Sequence, residues 1–144
     1  MSTSPAPTTR TKVLLVDDHD LIRKGLRHAF ERDRQFEVVG EAATAAEAVR
    51  QAGALQPDVV IMDLRLPDGS GLEATRALRK NNANMGIVVL TMYAGDDQLF
   101  GALEAGASAF VPKTAPADEV VAAARHAASA PRRSPGASAG RERP

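Results

Sequence analysis

Five short apolar runs divide the chain and predict its strands. They are VLLVD at 13–17, FEVVGEA at 36–42, VVIMD at 59–63, GIVVLT at 86–91 and SAFVP at 108–112. In the first, third and fourth runs the apolar residues are continuous and do not alternate with polar ones. Such runs are typical of strands that are covered on both faces, as in a parallel sheet. We therefore predict five strands, three of them covered on both faces.

The segments that follow these runs have the spacing of amphipathic helices. Their apolar stripes are Leu21, Ile22, Leu26, Ala29 and Phe30; Ala45, Ala48, Val49 and Ala52; Leu72, Thr75 and Leu78; Leu99, Phe100 and Leu103; and Val120, Val121 and Ala124. Thr44 and Glu47 form a capping box that opens the second helix, and Pro116 suits the first turn of the fifth. Five strands alternating with five helices predict a three-layer α/β fold with right-handed crossovers.

The two ends of the chain lack this periodicity. Residues 1–11 have the composition of a disordered leader, and the Pro-, Gly-, Ser- and Arg-rich stretch at 131–144 has that of a flexible basic linker or tail. We therefore predict one folded domain over residues 12–130.

Composition narrows the function classes. The chain has 18 basic and 18 acidic residues, but 12 basic and 17 acidic residues lie between 13 and 130, a net charge of −5. This acidic body argues against a broad nucleic-acid-binding face. Cysteine is absent, which excludes disulfides and thiolate zinc sites. No secretory signal or membrane-length apolar run is present, so we expect a cytoplasmic protein without membrane contact.

Polar side chains capable of chemistry follow four of the five strands. The first strand ends in Asp17-Asp18, the third ends in Asp63, the fourth ends in Thr91, and Lys113 directly follows the fifth. In a parallel sheet the carboxyl ends of the strands meet at one edge, which is where open α/β folds bind their ligands. We therefore expect three carboxylates, a hydroxyl and an ammonium group to share one pocket.

Three neighbouring carboxylates repel one another unless a cation lies between them. Mg²⁺ suits such an oxygen-rich site and keeps waters that a phosphate can displace, so we predict Mg²⁺ as the cofactor. A metal ion, a lysine and a hydroxyl donor together stabilise phosphoryl oxygens during transfer. A carboxylate can itself be the nucleophile and form an aspartyl phosphate.

Several motifs resemble the receiver domain of bacterial two-component response regulators. They are the acidic pair Asp17-Asp18 after VLLV, IMDLRLPDGSG around Asp63, VVLTMY with Thr91, and FVPK with Phe110 and Lys113. The segment DDHDLIRKGL resembles the NarL/FixJ branch, whose members carry LuxR-type helix-turn-helix output domains. The resemblance covers about residues 12–130 and implies a flavodoxin-like (βα)5 fold with a five-stranded parallel sheet of order 2-1-3-4-5.

The resemblance also implies a role for each residue. Asp63 is the phosphoacceptor, and Lys113 pairs with it and with the phosphoryl group. Asp18, Asp63 and the backbone carbonyl of Arg65 bind Mg²⁺ directly, while Asp17 acts mainly through water. Thr91 hydrogen-bonds the phosphoryl oxygen, and Phe110 is the switch aromatic.

The partner implied by the resemblance is a sensor histidine kinase. Phosphorylation is then expected to alter the surface of the fourth helix, fifth strand and fifth helix, where a homodimer or an output domain binds. DNA is contacted only through an output domain outside this chain. The domain is a signalling switch that catalyses its own phosphorylation and dephosphorylation, and we do not expect a metabolic enzyme.

Three questions stay open at this point. Many receivers have a cis Lys–Pro bond where this chain has Lys113-Thr114, so the isomer of that bond is undetermined. His19 lies beside two aspartates, but we expect a surface residue in the first turn of the helix. A flavodoxin-like electron carrier and an unphosphorylated pseudo-receiver are the alternative functions. The acidic DDHDLI segment disfavours the former, and the presence of Asp18, Asp63 and Lys113 disfavours the latter.

Overall fold

The five predicted strands form one parallel sheet in the computed structural model, which describes residues 10–92 and 96–129. They are β1 (Thr11–Val16), β2 (Phe36–Ala42), β3 (Val59–Asp63), β4 (Gly86–Thr91) and β5 (Ala109–Pro112). The spatial order is β2-β1-β3-β4-β5, and each neighbouring pair is parallel. The predicted fold class and strand order are confirmed. The predicted tail at 131–144 and nearly all of the predicted leader lie outside the described residues.

Five helices cover the two faces of the sheet. They are α1 (Asp20–Arg32), α2 (Ala45–Leu55), α3 (Gly71–Asn81), α4 (Asp96–Ala105) and α5 (Ala117–Ser129). Helices α1 and α5 pack on one face, and α2, α3 and α4 pack on the other. Within the described part of the chain, every helix is too short or too polar to cross a membrane.

The capping box that was predicted for the second helix is present. The Thr44 hydroxyl accepts a hydrogen bond from the amide of Glu47 (3.1 Å), and the Glu47 carboxylate accepts one from the amide of Ala43 (2.9 Å). Pro116 directly precedes α5 and so lies just before the first turn in which it was expected.

Away from its carboxyl edge, the sheet has buried apolar side chains on both faces. Strands β3 and β4 are buried along their whole length, which confirms that continuous apolar runs form doubly covered strands. On the α1/α5 face, the rings of Phe30 and Phe36 meet edge to face with centroids 5.0 Å apart. On the opposite face, alanines of α2, α3 and α4 let these helices lie close to the sheet.

Strand β1 differs in position from its prediction at 13–17. It begins at Thr11 because Thr11 and Lys12 pair with Phe36 and Glu37 of β2. It ends at Val16, and Asp17 begins the loop that leads to α1. The first acidic residue therefore lies just beyond the carboxyl end of the strand.

The apolar stripe predicted for the fourth helix is not its buried face. Phe100 and Leu103 are 69% and 52% exposed, whereas Ala102 and Ala105 are buried. The side chain of Leu99 lies outside the described residues. Two small alanines pack this helix against its neighbours, and Phe100 and Leu103 face solvent.

The connection between β3 and α3 is a small antiparallel hairpin that sequence periodicity did not predict. Its strands are Arg65–Leu66 and Gly69–Ser70, and Gly69 has a φ of +153°. Pro67 and Asp68 form the turn between these two short strands. Asp68 also reaches α2, because its carboxylate accepts hydrogen bonds from the amides of Ala45 (2.7 Å) and Ala46 (3.0 Å).

Candidate functional site

Three aspartates gather at the carboxyl edge of the sheet, as the strand ends predicted. Asp17 and Asp63 are buried, and Asp18 is exposed. One carboxylate oxygen from each of the three and one ring nitrogen of His19 lie within 4.8 Å of one another. The parallel pairing of β1 with β3 produces this proximity, since it brings the ends of the two strands side by side.

Lys113 lies between the two buried carboxylates. Its Nζ donates a hydrogen bond to Oδ2 of Asp63 (2.9 Å) and is 3.1 Å from Oδ2 of Asp17. The lysine side chain is only 3% exposed. Its position depends on strand pairing, because β5 is parallel to β4 and β4 to β3, so that a residue just after Pro112 lies at the same edge of the sheet as Asp63. The described residues contain no cis peptide bond, so the Lys113-Thr114 bond, whose isomer the sequence left open, is trans.

The loop that carries Asp17 is held by several backbone contacts. Oδ1 of Asp17 accepts a hydrogen bond from the amide of His19 (2.8 Å), and the amide of Asp17 donates to the carbonyl of Ala42 (3.0 Å). Arg23 donates from Nη1 to the carbonyl of Asp17 and from Nε to Glu41 (2.9 Å). Sequence reasoning missed Arg23, because its partners come from two other segments of the chain.

The pKa of Glu41 reflects its contacts with Arg23 and Arg27. Burial alone raises the pKa of this carboxyl, but hydrogen bonds from Arg23 and Arg27 bring it below its ordinary value. Glu41 thus stays ionised and keeps Arg23 in place beside the Asp17 carbonyl.

The position of Asp63 depends on a glycine. Oδ1 of Asp63 accepts a hydrogen bond from the amide of Arg65 (3.1 Å), and the amide of Gly71 donates to the carbonyl of Leu64 (2.9 Å). A Cβ atom on Gly71 would lie 2.1 Å from the carbonyl oxygen of Asp63. Only glycine allows the first turn of α3 to come this close to the strand end that carries the carboxylate.

The cluster has more negative than positive charge. Burial and the nearby Asp17 raise the pKa of Asp63 above its ordinary value, against the lowering effect of Lys113 and of the Arg65 amide. Burial alone lowers the pKa of Lys113, but its contacts with Asp63 and Asp17 raise it above the ordinary value. Burial is thus the main cause of the shift of Asp63, and the two carboxylate partners are the cause of the shift of Lys113.

Thr91 and Phe110 lie on neighbouring strands, as expected. Thr91 is buried and immediately follows Leu90, the register partner of Asp63. Its carbonyl accepts a hydrogen bond from the amide of Lys113 (2.7 Å). Phe110 pairs with Val89, so it lies on the same face of the sheet as Thr91, and it is half-buried against the α2–α4 side.

His19 is exposed, as the sequence predicted, yet its ring faces the cluster. It occupies the N-cap position of α1 without making a side-chain cap. Its Nδ1 is 3.1 Å from Oδ1 of Asp17 and 3.3 Å from Oδ1 of Asp18. The sequence signal for this contact, a histidine next to an acidic pair, is weak without the loop geometry.

The donor set suits a hard divalent cation. Oδ2 of Asp17 is buried and, among the described residues, accepts no hydrogen bond, although Lys113 is near. Buried carboxylate oxygens that lack donors are costly unless a cation compensates them. Asp17, Asp18 and Asp63 therefore fit the predicted Mg²⁺ site. The amide of Arg65 contacts Asp63, and the predicted role of its carbonyl as a metal ligand stays a prediction.

Comparison with known proteins decides the family. Residues 13–125 match the response regulator receiver domain. The chain belongs to this family. Among curated proteins, this receiver domain is similar to the transcriptional activator DevR/DosR of Mycobacterium tuberculosis, with 43% identity over 102 residues, 71% of this chain and 47% of the relative. The chain spans about half the length of the curated relatives it matches.

Two solved structures extend the likeness. A LuxR-family two-component response regulator from Aurantimonas shares 39% identity with this receiver domain at a TM-score of 0.80, covering 90% of this chain and 94% of that one. A response regulator from Burkholderia pseudomallei, solved with a phosphorylated aspartic acid and a calcium ion, shares 30% identity at a TM-score of 0.73, covering 83% and 69%. The resemblance stated from the sequence is thereby confirmed at the level of family and fold.

Proposed function

We propose that this receiver domain accepts a phosphoryl group on Asp63 and thereby switches a surface that controls a transcriptional output. The observation that carries the proposal is the placement of Asp63. Its carboxylate is buried at the centre of the cluster, hydrogen-bonded to Lys113 and close to Asp17, and has a raised pKa. A buried carboxylate with a raised pKa beside a lysine has the perturbed environment that is typical of a reactive group.

The transfer itself is a substitution at phosphorus. One oxygen of Asp63 bonds to the phosphorus of a phosphohistidine on a sensor kinase while the P–N bond breaks, and the electron pair stays on the imidazole nitrogen. Lys113 remains beside the product and balances the added phosphoryl charge. Thr91, at the end of the next strand, is the hydroxyl donor that we assign to a phosphoryl oxygen.

Mg²⁺ is the cofactor that we assign to the carboxylate cluster. Asp18 and Asp63 are its direct ligands in this proposal, with the carbonyl of Arg65, and Asp17 acts through water. The ion supplies charge neutralisation for the phosphoryl oxygens. Removing it with a chelator should therefore stop phosphorylation.

The output surface lies around α4, β5 and α5. Phe110 of β5 is half-buried, and Phe100 and Leu103 on α4 are largely exposed. When Thr91 moves toward the phosphoryl group, space opens on the face it shares with Phe110, and the ring can turn inward. A differential interaction of a few kcal/mol between two existing states is sufficient for such a shift.

That surface is also where we place contact with a DNA-binding domain or a second receiver. The support comes from relatives of which this chain matches only about half the length, one of which is named as a DNA-binding transcriptional activator. The domain is a switch and not a metabolic enzyme in this proposal.

The test of the acceptor is mass spectrometry after incubation with acetyl phosphate and Mg²⁺. We expect one added phosphoryl group, mapped to Asp63 and absent in Asp63→Asn. Asp68→Asn is the matched control, because Asp68 lies in the same loop but outside the cluster. Undiminished label in Asp63→Asn, mapped to Asp17 or Asp18, would refute the assignment. Absence of label in the unmodified protein would favour a docking module that is not phosphorylated.

The test of the switch is NMR with beryllofluoride as the phosphate mimic. We expect larger chemical-shift changes over residues 95–125 than over α2. Changes confined to the loops around Asp17, Asp18 and Asp63, with Phe110 unmoved, would contradict the coupling even if Asp63 is phosphorylated.

A further inference from the structure

The Nδ1 atom of His19 lies near two hydrogen-bond acceptors and one hydrogen-bond donor. Nδ1 is 3.1 Å from a carboxylate oxygen of Asp17 and 3.3 Å from one of Asp18, and it is also 3.3 Å from Nζ of Lys113. A carboxylate calls for an N–H at this position, whereas an ammonium group, which can only donate, calls for a lone pair. One nitrogen of a neutral imidazole cannot satisfy both.

The side chain of His19 does not cap the helix that it precedes. His19 is the N-cap of α1, but its side chain makes no cap hydrogen bond; its backbone amide donates to Oδ1 of Asp17 (2.8 Å), and its ring Nδ1 lies 3.1 Å from the same oxygen. The ring therefore contributes nothing to the helix terminus. It is directed to the acidic pocket, although it is exposed and has solvent on its other side.

The distance between His19 and Asp18 is close to that between adjacent ligands of one metal ion. Adjacent ligand atoms of an octahedral ion with bonds of about 2.1 Å lie about 3.0 Å apart. Nδ1 is 3.1 Å from the Asp17 oxygen and 3.3 Å from the Asp18 oxygen, and all four candidate ligand atoms lie within 4.8 Å of one another. A cation bound to the Nδ1 lone pair would meet the demand of the carboxylates, while Lys113 keeps its hydrogen bond to Asp63.

We infer that His19 is a nitrogen ligand of the carboxylate centre and that it makes this centre favour a first-row transition-metal dication over Mg²⁺. Imidazole binds such ions well, whereas Mg²⁺ prefers oxygen ligands. The inference rests on the proposed metal centre and adds to it a ligand and an ion preference. The ions in question are Mn²⁺ and those that follow it in the Irving–Williams order.

Binding of Mn²⁺ alone and Mg²⁺ alone to the whole chain, each measured by calorimetry, tests the preference. We expect His19→Ala to weaken Mn²⁺ binding about tenfold, within the range found when residues around a metal site are removed. Mg²⁺ binding should change by less than about twofold. His28→Ala is the matched control, since His28 is an exposed histidine of the same helix and should leave both affinities unchanged.

A spectroscopic measurement separates ligation from a general electrostatic effect. In protein labelled with ¹⁵N-histidine, Mn²⁺ at the site should show a nitrogen coupling by pulsed electron paramagnetic resonance. The coupling should persist in His28→Ala and vanish in His19→Ala and His19→Gln.

Each outcome decides the inference. Loss of the coupling together with selective loss of Mn²⁺ affinity supports it. An absent coupling in the unmodified protein, or equal weakening of both ions in His19→Ala, overturns it and leaves His19 as a hydrogen-bond donor to Asp17. If neither ion binds to the unmodified protein, the metal centre of the proposed function fails as well.

Discussion

The interior of the sheet and its carboxyl edge are built on opposite principles. In the interior, β3 and β4 are buried among apolar side chains on both faces, and Phe30 and Phe36 pack edge to face beneath β1 and β2. At the edge, a few residues further along the same strands, two buried carboxylates share one ammonium group. Every contact in the interior favours the folded state, whereas the edge contains repulsion that folding must overcome.

This difference shows that the apolar middle of the strands stabilises the fold, whereas the cluster at their carboxyl ends does not. The apolar segments supply the free energy that tolerates an unfavourable cluster at their ends. Four substitutions test this division, and we give them in order of decreasing expected effect on stability.

The largest loss should follow from a cavity in the interior. Phe30→Ala removes a fully buried ring, and we expect the free energy of unfolding to fall by about 4 kcal/mol. Urea denaturation followed by circular dichroism measures this change. Leu21→Ala on the same helix is the control, because Leu21 is 82% exposed and should cost less than about 0.5 kcal/mol. Similar losses in both variants would show that α1 does not pack as described.

The next largest loss should come from removing the only ammonium group within the cluster. Lys113→Met leaves Asp17 and Asp63 buried without a cation, at a cost of about 3 kcal/mol at neutral pH. The loss should shrink in the double variant Lys113→Met/Asp63→Asn, since one of the two charges is then absent. If the change in unfolding free energy of the double variant equals the sum of the two single changes, Lys113 and Asp63 do not interact.

Asp63→Asn should act in the opposite direction. Because the pKa of Asp63 is raised on folding, the ionised carboxylate destabilises the metal-free protein at neutral pH. The neutral amide should therefore raise the urea midpoint at pH 7, by less than Lys113→Met lowers it.

The stabilising effect of Asp63→Asn should depend on pH. Stabilisation by the protonated carboxyl is complete below its ordinary pKa of 3.8 and is lost as pH rises through the raised pKa. The advantage of Asp63→Asn over the unmodified protein should accordingly fade as pH falls toward 3.8. An advantage that is constant across this range would mean that the carboxylate charge is not the cause.

The smallest effect on stability should come from Asp18, whose side chain is 34% exposed. Asp18→Ala should change the metal-free unfolding free energy by less than about 0.5 kcal/mol, and a small gain is the expected sign. The same variant should lose most of its Mg²⁺ affinity in calorimetry. A clear loss of metal-free stability would indicate that Asp18 is a structural residue.

The regular elements of the fold could be predicted because each is encoded within one segment. The runs at 36–42, 59–63 and 86–91 coincide with strands, since continuous apolar residues between turn signals admit few other structures. The gathering of Asp17, Asp63 and Lys113 followed from parallel strand ends alone. The buried face of α4 was missed, because alanines carry little weight in a hydrophobic pattern that also contains Phe100 and Leu103.

The contacts that adjust the site could not be predicted in this way. Arg23 meets Glu41, and Asp68 meets Ala45, across gaps of 18 and 23 residues. Such pairs depend on where loops arrive after the sheet has formed, and no local periodicity records them. The close approach of Gly71 to Asp63 is of the same kind, because glycine in a turn sequence has many local explanations.

Hydrogen exchange at the start of α2 can report on the hairpin at 65–70, because the amides of Ala45 and Ala46 donate hydrogen bonds to Asp68. Backbone amides exchange their protons with solvent only when their acceptor leaves. The exchange rates of these two amides therefore measure how often the hairpin at 65–70 detaches from the helix, without any label near Asp63. In Asp68→Ala they should exchange faster while the amide of Glu47, held by Thr44, stays protected. Loop opening can thus be timed in the unmodified protein from two protons of a helix outside the carboxylate cluster.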